Sequence, residues 1–505
     1  MNSRFFMGNL VRMSCVFLVL LFLTGCPLEI AENVVFVDAE SSAGAGSEDG
    51  TSWDRAFDTV QEGIDAASLL DGFEVWVAQG TYGEVRSGDA DGSVVMKADV
   101  AVFGGFRGNE VSIFQRDWEL NETILSGDNG RGVGHAAYHV VKGADYATLD
   151  GFTITGGHAV GRDSQGQGGG MFNRGHFLLS VSNCIFTENS AEFGGGGMSN
   201  YATSPRITNC IFIGNSANSG GGIKNMYESS PKISSCSFTE NCAVSGGAIE
   251  NSGESAPEIS YSIFTGNTAS WGGGGIYNGS QTSPEIRKCD FLNNSAGEFG
   301  GGMYNVNVSS LTIKNCIFEG NEASYKGGGI YTQASSPIIQ DSRFSGNLAF
   351  SGGGMQNDRS MPQVGDCIFI KNRAEHGGGM QNERSTPQVR DCIFIKNRAE
   401  QGGGMQNYSD VPPEFPTFAV ISNSFFIGNL AMNVGGGMLN LSQAAPVVTN
   451  CMFIGNSAVE YGADFCTKGI LSDTVFNLVY LSRTSDAAQE TNSFDSSFSF
   501  IGRFV

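Results

Sequence analysis

A repeat of 25 to 27 residues constrains the fold of this chain more than any other feature of its sequence. From Gly168 onward a glycine run that ends in Met or Ile recurs eleven times, and the last step is longer, at 33 residues. A second unit, Phe-x-x-Asn, keeps step with it at Phe186, Phe212, Phe238, Phe264, Phe291, Phe318, Phe344, Phe369, Phe394, Phe426 and Phe453. Such linked copies indicate a solenoid in which each unit stacks on its neighbours.

Within each unit the apolar residues alternate with variable ones. In Cys289-Asp290-Phe291 the outer positions are small and aromatic, whereas the middle position is Ser, Ile or Arg in other units. Because side chains alternate across a strand, Cys and Phe should point into a core and the middle residue should point outward. Short strands at this spacing predict an all-β parallel β-helix, and the Leu-x-x-Leu-x-Leu frame of leucine-rich repeats is absent.

Two asparagine columns accompany the repeat. The Asn of Phe-x-x-Asn should adopt the left-handed backbone at a turn, and its amide should bond to its own copy in the next coil. The second column follows the glycine run, with Thr332 as its exception. Eight units place Cys two residues before Phe and the other three place Ser there, so we expect a packing column of free thiols rather than disulfides, metal ligands or a cofactor site.

The unit Gly246–Ile249 (Gly-Gly-Ala-Ile) with Phe-x-x-Asn resembles the repeat of the polymorphic outer-membrane-protein family. That family belongs with the right-handed β-helices of the pectin-lyase-like class. The resemblance covers about Gly168–Asn456, and it implies a single-stranded right-handed parallel β-helix of roughly fourteen coils.

Both ends of the solenoid need a cap, because an open end exposes unpaired strands. Trp53, Phe57, Val60, Ile64 and Ala67 recur at helical spacing, which predicts a short amphipathic capping helix. We therefore divide the chain into an anchor linker (26–34), an N-terminal cap with the first coils (35–150), the repeats (151–459) and a C-terminal cap (460–505).

The first 25 residues read as an export signal, with Arg4 and Arg12 before the apolar stretch Cys15–Leu23. The sequence Leu23-Thr24-Gly25-Cys26 resembles the lipobox of bacterial lipoproteins. That resemblance implies lipidation of Cys26, a membrane-anchored chain and a location in the bacterial cell envelope, at the outer membrane or cell surface.

The charge balance bears on partners. Without residues 1–25, which hold two basic and no acidic groups, 27 Lys and Arg face 51 Asp and Glu. Such an acidic surface argues against nucleic acid and against acidic polymers as broad-surface partners. A glycan or a protein at the cell surface is left as a possible partner.

An enzyme is the alternative function, because pectin-lyase-like folds host polysaccharide lyases and glycoside hydrolases, although fold alone does not argue activity. Sugar cleavage needs a carboxylate pair or a base beside a charge stabiliser. The candidates in the irregular region before the repeats are Asp128 with Asp150 and His158 with Asp163. A polar loop region on an irregular early coil is the favoured explanation, so they are weak catalytic candidates.

The segments Met355–Gly379 and Met380–Gly404 are identical at 21 of 25 positions. A catalytic site needs a unique constellation, whereas duplicated coils present the same groups twice, which favours a non-catalytic adhesion or interaction scaffold. Outward positions beside Phe form an apolar stripe that we predict to contact a partner, unless the 411–417 insertion or the C-terminal tail covers it. Its members are Ile368, Ile370, Ile393, Ile395, Ile427 and Ile454, with Phe425 and Met452.

Overall fold

The computed structural model describes residues 33–40, 47–70, 72–84, 93–128, 136–175, 177–410, 419–468 and 476–480. Within them the chain winds into a parallel β-solenoid, and strands pair with the equivalent strands one coil away. The predicted all-β parallel β-helix is therefore confirmed. One sheet has fourteen strands, one from each coil, in agreement with the predicted number of coils.

Sheet 1 is the broad sheet of 29 strands, to which most coils contribute two strands. Its early strands are Val34–Val37, Glu74–Ala78, Gly80–Tyr82, Ala101–Phe106, Thr123–Ser126, Thr148–Asp150 and Thr153–Thr155. In the repeats the pairs run from Ser180–Ser182 and Ile185–Thr187 to Val420–Ser422 and Phe425–Ile427. Val447–Ile454 then continues through both positions and pairs with Phe476–Tyr480. This sheet carries the predicted apolar stripe.

Sheet 2 is narrow and follows the Phe-x-x-Asn turn. Its strands are His158–Ala159, Ser190–Gly194, Ser216–Ser219, Cys242–Ser245, Thr268–Gly272, Ser295–Ala296 and Glu322–Ala323, then Arg398–Gln401, Leu430–Val434 and Ser457–Ala458. Isolated bridges through Leu348 and Arg373 join the two groups of strands.

Sheet 3 follows the glycine run and has the most uniform register. Its strands are Val94–Val95, Val141–Lys142, Met171–Arg174, Met198–Tyr201, Ile223–Met226, Ile249–Asn251, Ile276–Asn278, Met303–Val306, Ile330–Gln333, Met355–Asp358, Met380–Glu383, Met405–Ser409, Met438–Ser442 and Phe465–Lys468. In each regular strand the Met or Ile and the Asn point inward, so the residue between them points outward.

The N-terminal capping helix is shorter than the sequence predicted. Helix α1 spans Val60–Ala67, and Thr59 caps it by accepting a hydrogen bond from the Glu62 backbone N–H. Val60, Ile64 and Ala67 are buried against the first coils, so the predicted capping role is confirmed. Trp53 instead lies in a separate 3₁₀ turn, and Phe57 forms a strand bridge with Val37. The chain is therefore not one continuous helix between Trp53 and Val60, although its apolar residues keep helical spacing.

The core is built from columns of identical residues stacked along the solenoid axis. Rings from Phe186 to Phe453 stack nearly parallel, with centroids 4.6–5.0 Å apart. The Cys column is buried beside them, and the ten cysteines that the structure describes are free thiols, as predicted. Cys184, for example, donates its S–H to the Ser182 carbonyl at 3.1 Å.

The first asparagine column forms an unbroken amide ladder from Asn189 to Asn456. Each Nδ2 donates to the next Oδ1 at 2.9–3.1 Å. The expectation that these asparagines themselves adopt the left-handed backbone is wrong. The left-handed residue is the one before, such as Glu188 (φ 54°) or Gly214 (φ 63°), because the ladder Asn must aim its amide inward along the axis.

The second ladder is interrupted where the sequence departs from Asn. Its amide bonds measure 2.8–2.9 Å from Asn173 to Asn305 and from Asn357 to Asn440. At Thr332, which is fully buried, neither Asn305 Nδ2 nor Asn357 Oδ1 has a hydrogen-bond partner, and Thr332 Oγ1 has none either. One substitution therefore leaves three buried polar atoms unsatisfied.

The glycine run produces the bend between sheets 2 and 3. Gly327, with φ +69°, has the left-handed backbone that starts the bend. A Cβ on Gly328 would lie 2.5 Å from the carbonyl oxygens of both Gly353 and Leu348, so the coils approach too closely there for a side chain. The bend matters for function because it fixes how the outer side chains of two sheets meet.

Candidate functional site

Among the weak catalytic candidates, Asp150 is committed to a buried structural network. Its carboxylate accepts from Arg116 at 2.5 Å, from the Ser182 hydroxyl at 2.5 Å and from the Asn183 amide at 3.0 Å. Both oxygens are therefore engaged, and the side chain is 11% exposed. This environment holds a carboxylate in place and gives it no open face toward a substrate.

The other three candidates lie elsewhere on the early coils. Asp128 follows the strand Thr123–Ser126 and lies beside Gly156. Gly156 is six residues after Asp150 in the sequence, so Asp128 is opposite a different part of that coil. His158 Nδ1 lies 2.7 Å from the Ser190 hydroxyl, and Asp163 begins a 3₁₀ turn with a left-handed backbone. No hydrogen bond or ion pair among the described residues joins Asp128 to Asp150 or His158 to Asp163. Catalysis by these residues stays a prediction.

The predicted apolar stripe occupies the outward face of sheet 1. Ile368 pairs with Ile393, and Ile370 pairs with Ile395, on consecutive strands. The same columns continue through Phe425 and Ile427 to Met452 and Ile454. Ile368 and Phe425 are exposed at 37% and 39%, and the other members are half-buried. Residues 411–417 and most of the C-terminal tail, the predicted covers, lie outside the described residues.

A second surface, absent from the sequence-based predictions, lies outside the bend between sheets 2 and 3. We call it the outer corner, and it comprises the two residues before each glycine run and the first outward residue after it, from Trp271 to Gln406. Contacts between residues five positions apart cross the bend: Phe299 and Tyr304 have ring centroids 5.4 Å apart, and Gln406 Nε2 donates to Gln401 Oε1 at 3.4 Å. The outside of the bend is therefore concave.

The N-terminal half of the outer corner is aromatic. Tyr304 lies at its base, with ring centroids 5.3 Å from Tyr277, 5.4 Å from Trp271 and 5.0 Å from Tyr331. Phe299 links this group to Tyr331 at 5.2 Å and to Tyr325 at 5.9 Å. Phe350 extends it by contacts to Tyr325 at 5.8 Å and to His376 at 5.3 Å. Edge and offset contacts of this kind stabilise ring clusters beyond area burial.

The aromatic half holds one lysine, which is paired, and the exposed carboxylate of Glu298. Lys326 Nζ lies 2.7 Å from Glu383 Oε2 and also lies over the rings of Tyr325 and Tyr331, 5.4 Å and 5.8 Å from their centroids. Burial raises the pKa of Tyr304 and Tyr331 well above the ordinary value, and it raises the pKa of Tyr277 to about 12. The three hydroxyls are therefore protonated donors; the Tyr304 hydroxyl donates to Gln333 Oε1 at 2.9 Å.

The C-terminal half of the outer corner carries amides in the same outward column. Gln356, Gln381 and Gln406 follow Tyr331 in strand register. Their exposed fractions are 0%, 8% and 2%, yet the Oε1 atom of each has no hydrogen-bond partner, and neither does Nδ1 of His376. The three amide oxygens are acceptors that lack donors, and the His376 nitrogen donates or accepts according to its tautomer.

The sequence does contain a signal for the outer corner, but only after the repeats are aligned on the glycine run. The residue after the Met or Ile is then Tyr277, Tyr304 and Tyr331, followed by three Gln. Alternation along a strand marks these positions as outward, which by itself suggests a solvated face. The cluster becomes visible only when the bend brings residues from before the glycine run against them.

In the part of the chain that the structure describes, no group of three His, Cys, Asp or Glu side chains is placed to hold a metal ion. No helix within the described ranges is long and apolar enough to cross a membrane. Cys26 and the export signal lie outside those ranges, so lipidation stays a prediction.

Comparison with known proteins places the chain by fold. Residues 135–297 and 247–415 match the family model described as a right-handed beta helix region, and together they span more than half of the chain. No curated protein matches the chain.

Similar solved structures are distant. The A-module of mannuronan C-5 epimerase AlgE6 from Azotobacter vinelandii is 12% identical with a TM-score of 0.33, and the alignment covers 84% of this chain and 95% of that one. PfbA, a surface adhesin of Streptococcus pneumoniae, is 12% identical with a TM-score of 0.25 over 82% and 92%. The tailspike of E. coli bacteriophage HK620 is 12% identical with a TM-score of 0.30 over 81% and 73%. Such distances carry no argument about activity, whereas the family match confirms the predicted right-handed coil. The chain belongs to the right-handed β-helix family.

Proposed function

We propose that this protein is a lipid-anchored, extracytoplasmic scaffold of the bacterial cell envelope that binds a partner without catalysis. The anchor is Cys26, and the solenoid presents long lateral surfaces to a glycan or a protein at the cell surface. The resemblance to polymorphic outer-membrane-protein repeats supports this role, as does the lipobox-like sequence Leu23–Cys26.

One observation carries the non-catalytic role: consecutive coils present the same outer groups in register. Ile368 and Ile370 pair with Ile393 and Ile395, so the same pair of side chains is repeated one strand spacing away, about 4.8 Å along the axis. A repeated row suits an extended contact, whereas a reaction needs differently tuned groups around one bond. The engagement of Asp150 by Arg116, Ser182 and Asn183 supports the same conclusion.

The anchor is tested by Cys26→Ser in the full chain. We expect the wild-type chain to fractionate with membranes and to carry an acyl-modified N-terminal cysteine by mass spectrometry. The variant should leave the membrane fraction, since two or more acyl chains supply the attachment. Membrane association that Cys26→Ser leaves unchanged would contradict the anchor.

The apolar stripe is tested by the double variant Ile370→Asp with Ile395→Asp on the surface of living cells. We expect cell adhesion or self-aggregation to fall by about tenfold, because a charge on each of two neighbouring coils must be desolvated at the contact. The matched control is Thr239→Asp with Thr265→Asp, which places charges in the same column of two earlier coils. Equal losses from both pairs, or no loss from either, would remove the stripe as the contact surface.

Catalysis is tested on a broad polysaccharide panel, with retention and cleavage products recorded together. We expect retention without products. Products that disappear in Asp128→Asn or Asp150→Asn would replace the scaffold by a lyase or hydrolase.

A further inference from the structure

The apolar stripe is bordered on its two sides by charges of opposite sign. Asp366 and Asp391 lie at the turn before the stripe, and Lys371 and Lys396 lie at the turn after it. All four residues are exposed and have the left-handed backbone that turns the chain. The strand that carries the stripe and its two turns therefore form one facet of the solenoid, with an acidic edge, an apolar centre and a basic edge.

The charges of the two edges are free to engage a partner. Within the described residues, Asp366, Lys371 and Lys396 form no ion pair, and Asp391 is paired only with Arg390 of its own coil, at 3.1 Å. Asp391 and Arg390 are exposed at 40% and 64%, and an exposed pair of this kind contributes little energy. Asp391 can therefore exchange its partner at small cost.

The neighbouring charges lie outside the facet. Beyond the basic edge the chain enters sheet 2, where Arg373 and Arg398 add positive charge beside the two lysines. Glu375 and Glu400 follow two residues later, on the far side of those arginines. The sign of each edge is therefore set by its own residues.

Two copies of the facet can meet face to face in two symmetrical ways. A two-fold axis along the solenoid exchanges the edges, so that Asp391 of one copy faces Lys396 of the other, and Asp366 faces Lys371. A two-fold axis along the strands keeps each edge opposite itself, so that carboxylates face carboxylates and amines face amines. Because facing like charges cost several kcal/mol, the edges select the first arrangement, in which the two solenoids run in the same direction.

We infer that the apolar stripe with its charged edges is a self-complementary surface through which two copies of this protein associate side by side and parallel. Each of the two charged coils contributes two ion pairs across the interface, and Ile368 of one copy meets Ile370 of the other. Parallel copies have their first coils at the same end, as two chains anchored in one membrane require. The inference rests on the stripe being the contact surface of the proposed function, and it names the partner.

The size of the facet predicts a weak dimer. The facet is about 16 Å wide from Asp366 to Lys371, and four coils span about 19 Å. Two such facets bury about 600 Å² in total, below the roughly 1,200 Å² of stable complexes. The exposed side chains of Arg343 and Glu319 occupy the outward positions of the two preceding coils and end the apolar contact there. We expect a dissociation constant of about 10–100 µM in solution, and a larger dimer fraction where a membrane concentrates the chains.

The experiment is sedimentation velocity of the full chain in detergent, over a concentration series at low ionic strength. One variant reverses the acidic edge (Asp366→Lys with Asp391→Lys), and another reverses the basic edge (Lys371→Asp with Lys396→Asp). Each should raise the dissociation constant by at least about tenfold, because like charges then face each other. All four substitutions in one chain should restore the wild-type constant to within about threefold, since the two edges only exchange places.

Glu375→Lys with Glu400→Lys is the matched control. It makes the same change of charge in the same two coils, at exposed positions outside the facet. It should leave the dissociation constant unchanged, and all variants should keep the wild-type melting temperature because the substituted side chains are exposed.

Three outcomes would overturn the inference. They are a full chain that stays monomeric at about 500 µM, single-edge reversals without effect, and a fourfold variant that fails to restore the dimer. Indifference to the single-edge reversals is the result expected of antiparallel copies.

Failure of the proposed function is distinguishable. A monomeric chain whose adhesion still falls with Ile370→Asp and Ile395→Asp would keep the stripe as a contact surface for a different partner. Cleavage products from the polysaccharide panel would refute the scaffold and leave the dimer intact.

Discussion

In the regular coils each Asn of the first ladder bonds to its own copy one coil away, whereas in the early coils the buried polar side chains of Asp150 and His139 have partners of a different kind. Asn321 donates to Asn347, a residue identical to itself, but Asp150 is held by Arg116, and His139 Nδ1 lies 3.0 Å from the Gly168 carbonyl. Translation along the axis supplies partners in the first region, and individual contacts supply them in the second. The difference explains why Asp150, a residue that could belong to an active site by its sequence context, is engaged in holding the irregular coils together.

The largest effect should come from breaking an individual contact. Arg116→Ala leaves the carboxylate of Asp150 buried without its cation, and we expect the free energy of unfolding of the early coils to fall by about 3–5 kcal/mol. Hydrogen exchange of the strands Ala101–Phe106 and Thr148–Asp150 measures it. Arg206→Ala, at an exposed position on sheet 1, serves as the control. A loss below about 1 kcal/mol would mean that the pair contributes little.

Breaking the first asparagine ladder should lower the free energy of unfolding somewhat less. Asn321→Ala removes the bonds from its Nδ2 to the Phe291 carbonyl and to Asn347 Oδ1, and it leaves the N–H groups of Asn294 without their acceptor. We expect a loss of about 3 kcal/mol, confined to neighbouring coils. Exchange measurements should show it in the strands on either side. Asn218→Ala, on the exposed side of sheet 2, should change the exchange rates little, and a uniform loss along the whole solenoid would argue against local coupling.

A pH titration separates the early coils from the regular coils, because within the described residues only the early coils hold a buried histidine, His139. Burial, aided by Lys142, lowers the pKa of His139 to about 4, although the Gly168 carbonyl opposes the shift. In the unfolded chain the pKa of this histidine is near 6.5, so the folded protein holds the imidazole neutral where the unfolded chain would protonate it. The stability is therefore complete above about pH 6.5 and is lost as the pH falls toward 4. We expect the early coils to lose about 2 kcal/mol between pH 7 and pH 5.

His139→Phe tests the pH effect, since the new ring can keep the stacking on Phe172, now at 5.0 Å between centroids. The variant should unfold with a weaker pH dependence than the wild type over that interval, as measured by urea denaturation at each pH. Identical pH profiles for the two proteins would show that His139 is not the titrating group.

The smallest effect is expected from a substitution that completes the second asparagine ladder. Thr332→Asn gives Asn305 an acceptor and Asn357 a donor, and closes the gap in the second ladder. We expect a gain of about 1 kcal/mol and slower exchange in the strands Met303–Val306 and Met355–Asp358. Thr312→Asn, on the outward face of sheet 1, controls for the substitution itself. Destabilisation by Thr332→Asn would show that the hydroxyl is needed where it stands.

Much of the interior could be predicted because each column has one environment. Alternation placed Cys289 and Phe291 inside and Asp290 outside, and the amide ladders followed from the regular Asn spacing. The error about the left-handed residue arose because Asn tolerates that backbone well, while the ladder requires the preceding residue to make the turn. The overlong capping helix had a similar cause, since apolar spacing cannot reveal the turn after Trp53.

The candidate surfaces were predicted unequally for a physical reason. The apolar stripe is a property of one strand column, so the positions of Ile370 and Ile395 could be read from alternation alone. The outer corner joins residues from two sheets across a bend, and its concavity depends on the left-handed first glycine of each run, such as Gly300 or Gly327. Spacing in sequence does not specify the angle between two sheets.

The sequence by itself determined the period, the parallel stacking and the identity of each inward column, because a buried position repeated eleven times must satisfy the same packing and hydrogen-bond requirements every time. Only the tertiary structure decided that Asp150 forms an ion pair with Arg116 and that Trp271, Tyr304 and Tyr331 form one cluster. Both depend on contacts between segments whose relative direction is set by the bends of the coil, and local sequence does not encode that direction.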